Sequence, residues 1–202
     1  MGEHRTIAIG TGRRTGFASS LSRLRRDERG IAVVEFSLVA LPLFALIAVI
    51  LEASLLVFAQ HRLDVAVERG ARILRTAAFD SAAVSGGPAA SLRAAMCGGG
   101  FNLFRCEDIQ IDLVSTASFS PAQVAAPYDP KGGVDKKGDW ASGFGSRFDC
   151  PKGSSVVTLR VAVAALRPFL FLDFTGMRMP GRRQLLISTV VFRTEGFEGT
   201  AC

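Results

Sequence analysis

The feature that most constrains this chain is an almost unbroken apolar run, IAVVEFSLVALPLFALIAVILEASLLVF, at residues 31–58. A helix rises about 1.5 Å per residue and crosses a hydrocarbon layer of roughly 30 Å in about 20 residues. Residues 31–51 alone supply that length. The flanks orient the span. Residues 1–30 hold seven arginines (Arg5, Arg13, Arg14, Arg23, Arg25, Arg26 and Arg29) against three acids, Glu3, Asp27 and Glu28. The positive-inside rule therefore keeps residues 1–30 in the cytoplasm as a basic leader and sends residues 59–202 to the periplasmic side of an inner membrane. A secretory signal peptide has an apolar core of about 7–15 residues and a small-residue cleavage site. This run is longer, carries a carboxylate near its start and continues into a helical pattern.

The placement of charge also decides what the net +6 means. A nucleic-acid binder needs a basic stripe on its folded domain. Here the excess stands beside the apolar run and the remainder of the chain is close to balanced, so no nucleic-acid partner is expected.

Three residues in the run are poor choices for a plain anchor. Glu35 is an acid near the entrance, and a lone carboxylate in hydrocarbon costs several kcal/mol unless it is paired, protonated or functional. Pro42 lacks an N–H and clashes with the preceding turn, which predicts a kink or local melting near Leu38. Glu52 sits near the far end, where the headgroup region would solvate it.

Around Glu35 the sequence reads Arg29-Gly30-Ile31-Ala32-Val33-Val34-Glu35-Phe36. A basic residue, a glycine, four apolar residues, a glutamate and an aromatic resemble the processing site of type IV prepilins. More narrowly, residues 25–75 resemble the TadE-like pseudopilins of the Flp/Tad pilus system. The matching features are Leu41-Pro42, Glu52, Gln60 and Glu68-Arg69-Gly70-Ala71-Arg72, with a looser likeness in the closing Val191-Phe192-Arg193-Thr194-Glu195-Gly196-Phe197. Gly196 departs from the pattern, because a proline often stands there.

The resemblance implies cleavage after Gly30 by a prepilin peptidase, an aspartic membrane protease acting on the cytoplasmic side. Gly30 lets the chain become extended there and lets catalytic carboxylates approach the scissile carbonyl. Ile31 would become the new N-terminus. Its ammonium and the Glu35 carboxylate of a neighbouring subunit would then neutralise each other where each alone is costly. The implied partners are the inner membrane, the peptidase, other pilins or pseudopilins, and the assembly machinery. The competing reading is an unprocessed membrane-anchored periplasmic binding or scaffold protein.

Beyond the run, Leu56, Leu63, Val67, Gly70, Leu74 and Ala77 recur at helical spacing while charged residues take the other faces. This predicts a helix to about residue 78, roughly 70 Å long from residue 31, with Glu68 and Arg72 spaced to pair. Residues 91–96 add a helical turn. Strands are expected near 107–115, where Ile109, Ile111 and Leu113 alternate, near 154–164 and near 185–194. Residues 118–153 read as irregular loop, and residues 167–176 as an apolar connection with a short helix. The fold class is α+β and pilin-like: a long N-terminal helix, transmembrane then amphipathic, packed on a small antiparallel sheet.

Four cysteines, Cys97, Cys106, Cys150 and Cys202, all follow the apolar run, as a disulfide-permissive compartment requires. Three pairings are open. Gly98, Gly99 and Gly100 turn the chain cheaply and favour Cys97 with Cys106, which leaves Cys150 with Cys202. No paired C-x2-C motif suggests zinc, and Asp129, Asp135 and Asp139 miss the DxDxDG calcium spacing. The two histidines, His4 and His61, fall in the leader and near the membrane, which removes histidine-based catalysis from the distal domain unless His61 reaches it. The expectation is a non-enzyme with no cofactor and no metal.

Overall fold

The computed structural model describes residues 31–76, 78–79, 85–98, 104–118, 126–134, 138–169, 176–199 and 202. The leader, Gly30, Ala77, Gly99, Gly100 and Asp135 lie outside them. The chain divides into two units, Met1–Ile47 and Ala48–Cys202.

Helix α1, Ile31–Arg75, belongs to both. It runs unbroken through Pro42, so the expected melting near Leu38 does not occur. One proline removes a single ladder bond, and the helix-favouring Leu and Ala on either side propagate across the gap. In the first unit the helix surface is apolar and open, with Val33, Val34, Phe36, Leu38 and Leu41 all exposed. Among the described residues this is the one helix long and apolar enough to cross a membrane, and only 6% of its most apolar window is buried. An apolar helix surface uncovered by protein is compatible with a single-pass membrane anchor.

In the second unit α1 becomes amphipathic. Ala59, Leu63, Ala66, Val67, Ala71 and Leu74 are buried along one stripe, the spacing of a core-facing helix. Burying Leu63 or Leu74 fully stabilises the fold by about 2 kcal/mol each relative to exposure. Arg72 and Arg75 in the last turn complement the negative end of the helix dipole. The helix stops at Arg75, short of residue 78, because the Glu195 N–H donates to the Arg75 carbonyl (3.1 Å) and Thr76 enters a turn. Glu68 and Arg72 do not pair. Such an exposed pair contributes at most about 1 kcal/mol and holds two long side chains still.

Helix α2, Pro88–Cys97, is longer than the single turn expected. Gly87 takes φ 86° at its N-cap and Pro88 supplies a preset first turn. Met96 and Leu92 press against α1 at Gly70, where an added Cβ would lie 2.8 Å from Met96 Cγ. A 3-10 turn, Cys106–Asp108, occupies the start of the expected first strand, so β1 begins only at Gln110 and spans Gln110–Thr116. The long strands are β4, Val156–Leu166, and β6, Arg183–Arg193, both shifted slightly from expectation.

The main sheet is antiparallel in the order β1-β4-β6-β5, where β5 is the short Met177–Met179. One face carries Ile111, Leu113, Leu159, Val161, Val163 and Leu186 against α1 and α2. The other is covered too. Residues 126–150, expected as plain loop, contribute a small antiparallel pair, β2 (Tyr128–Asp129) and β3 (Asp139–Trp140). Trp140 stacks on Phe144, and Phe144 packs with Ala162, Leu185 and Met179 on the back of the sheet. β1 is therefore buried on both faces rather than half-buried. Residues 167–169 are not helical; 170–175, the rest of the expected short helix, lie outside the described residues.

Candidate functional site

The N-terminal stretch is the start of α1. Ile31 opens the helix, and Glu35 and Phe36 both stand on its exposed surface, Phe36 71% exposed. The Ser37 hydroxyl donates to the Val33 carbonyl (2.5 Å), so the helix satisfies its own polar side chain. Glu35 has no ion-pair partner among the described residues. A carboxylate here, on an apolar surface, is chemically incomplete: it needs a cation from elsewhere, a proton, or water.

A family model for TadE-like proteins matches residues 30–72. Over that segment the chain is similar to TadE-like proteins. No curated protein and no solved structure matches the chain. The TadE-like segment opens at Gly30, takes in Glu35, Pro42, Glu52, Gln60 and Gly70, and leaves the sheet outside it.

Within the second unit, the TadE-like helix is tied to the sheet by three polar contacts. Glu52 is 0% exposed, and its Oε1 accepts a hydrogen bond from Arg167 Nε at 3.1 Å, with the arginine 2% exposed. The headgroup solvation expected for Glu52 is thus replaced by a buried ion pair between α1 and the residue that follows β4. Gln60 Nε2 donates to the Ile187 carbonyl on β6 (3.0 Å). The Glu195–Arg75 backbone bond closes the far end.

The last two of these contacts lie on one edge of β6. Arg182 and Thr194 bond toward β4 (Arg182 O from Arg167 N, Thr194 N to Ser155 O), so alternation turns the odd-numbered residues outward. The outward groups of Ile187 and Glu195 are those that α1 engages. The closing segment noted in the sequence therefore has a structural task. Phe192 is buried beneath Arg75, whose guanidinium lies 5.4 Å from the ring centroid, and Thr194 bonds to Lys152 and Ser155. Gly153 abuts the Phe197 backbone so closely that no side chain would fit.

The four cysteines pair as Cys97–Cys106 and Cys150–Cys202. The first joins the end of α2 to the 3-10 turn, and the second fastens the C-terminus beside β4. Asp129 and Asp139 face each other across β2 and β3 and accept hydrogen bonds from nearby backbone amides, Lys131 N at 2.9 Å and Trp140 N at 2.8 Å. Among the described residues no cluster of three metal-ligating side chains forms. A surface hollow of about 590 Å³ is lined by Glu68, Arg69, Arg72, Arg75, Thr76, Val65 and Glu195. Its acids nearly offset its arginines.

Two charged residues escaped the sequence reading. Arg167 interrupts an apolar stretch, and a cation there is the natural partner for a membrane-end acid; that was the available signal. Asp112 lies on β1 between the inward-facing Ile111 and Leu113, pointing to the opposite face, where it is fully buried near Arg147, Asp149 and Arg160. Burial pushes the Asp112 carboxyl above its ordinary range, against the pull of Arg147 and Arg160. Neither of its oxygens accepts a hydrogen bond of good geometry among the described residues.

Proposed function

We infer that this chain is a prepilin-peptidase-processed minor pilin or pseudopilin needed for assembly of a Flp/Tad pilus. It acts as an assembly subunit, not as an enzyme. In this reading the leader is cytoplasmic, α1 crosses the inner membrane once, and the disulfide-bonded sheet domain lies in the periplasm. Cleavage after Gly30 creates an ammonium on Ile31. That amine meets the Glu35 carboxylate of an adjacent pilin and sets the axial register between helices, because each charge is costly alone in an apolar setting.

The observation that carries the reading is a coincidence of position: the TadE-like match opens at the glycine that precedes an exposed apolar helix with an unpartnered acid at Glu35. N-terminal sequencing of the protein extracted from membranes tests it. A mature chain beginning at Ile31, with the leader retained in Gly30→Ala, is the expected result. An intact leader in cells with an active peptidase would leave a tethered periplasmic domain instead.

A further inference from the structure

We propose that the β5–β6 hairpin is a second membrane contact, one that rests on anionic lipid headgroups beside the helix. The Glu52–Arg167 pair fixes its height. Arg167 follows β4 directly, its N–H donates to the Arg182 carbonyl at 3.0 Å, and Arg182 Nη2 donates to the Pro168 carbonyl at 3.3 Å. The turn at residues 180–182 is thereby held at the level of Glu52 on α1. At that level the helix has not yet left its apolar zone: Leu55, Val57 and Phe58, all C-terminal to Glu52, are still exposed. A structure held beside Glu52 therefore reaches the surface of any bilayer that α1 enters.

The chemistry of this end of the sheet fits that position. Leu166 is 64% and Met177 40% exposed, and Phe169 stands between them in sequence, also exposed. Arg178, Arg182 and Arg183 are exposed on the same hairpin. Asp108, 3.6 Å from Arg183, is the acid that faces this group among the described residues. Apolar side chains beside guanidinium groups make an interfacial surface: the first enter the acyl boundary and the second meet phosphates. Gly181 (φ 74°) and Arg182 (φ 60°) form the tight turn that brings Arg182 and Arg183 to the tip. The arginines at its tip complement an anionic leaflet.

The inference rests on α1 being a membrane span, and the experiment separates the two. The full chain is reconstituted into phosphatidylcholine vesicles with and without phosphatidylglycerol, and flotation establishes insertion. Trypsin cleavage after Arg178, Arg182 and Arg183 is then compared with cleavage after Arg147 and Arg193. Each arginine near an anionic surface is held by about a factor of five, so hairpin cleavage is expected to slow roughly tenfold or more with phosphatidylglycerol. The protection should fade in high salt, where screening shortens to a few Å, while the control bonds stay unchanged. Equal hairpin rates in both vesicle types, in protein that floats, overturn the hairpin contact alone. Failure to float overturns the span and the hairpin contact together.

Discussion

Two glutamates on one helix have opposite fates. Glu35 stands on an open apolar surface with no cation among the described residues, whereas Glu52 is buried and bound to Arg167. Both are expensive in an apolar setting, and the difference lies in where the compensating charge comes from. For Glu52 it comes from the same chain, 115 residues away, so the pair locks α1 to its own sheet. For Glu35 the chain's described part offers nothing, which leaves room for a charge supplied by a neighbour. The first is a folding contact. The second, in the proposed function, is reserved for assembly.

Substitutions should separate the two, from the largest effect to the smallest. Arg167→Met strands the Glu52 carboxylate, and breaking one side of a buried pair costs about 3–5 kcal/mol. Denaturation of the full chain in detergent, followed by the fluorescence of Trp140 against Phe144, should show that loss. Adding Glu52→Gln should recover most of it, because the stranded charge is gone. If Arg167→Met alone is harmless, the pair does not hold the helix.

Replacing Cys150 and Cys202 with serine opens a loop spanning 52 residues and should destabilise the sheet domain by about 2–4 kcal/mol. The same assay would reveal it, along with exposure of the C-terminus to carboxypeptidase. Gly70→Leu drives a side chain into Met96 and should cost about 1–3 kcal/mol. Added Met96→Ala should relieve part of that clash.

Asp112 gives a smaller effect of the opposite sign. Its raised folded pKa means the native state holds the proton more tightly than the unfolded chain. Any stability it lends is present in acid and is lost as pH rises through the folded value. Asp112→Asn keeps the group neutral, so it should raise stability at neutral pH and change it less under acid conditions. Unfolding midpoints measured across that range would check both the sign and the convergence.

Much of this division was legible before the fold was known, and the gaps have physical causes. The stripe through Leu63, Val67, Gly70 and Leu74 marked the buried face of α1, and alternation in Val157, Leu159, Val161 and Val163 marked the central strand. Both rest on local period, which a sequence displays. The partner of Glu52 does not: nothing local connects residue 52 with residue 167. Trp140 and Phe144 were hidden inside a stretch rich in Gly, Pro and Asp, where turn composition masks two aromatic anchors that cover the sheet's back. Met177–Met179 is too short for any period to show. Asp112 occupies a position that alternation alone assigns to solvent, so its burial has no local signal.

At Glu35, sequence and physics agree on an oddity without supplying its partner. The most direct test compares wild type with Glu35→Ala in piliating cells, following leader removal, stability of the purified chain and co-purification with the other pilins. An acid reserved for a neighbour's new amine requires normal membrane insertion, an unchanged unfolding midpoint and lost co-assembly. Filaments and pilin association indistinguishable from wild type would contradict it.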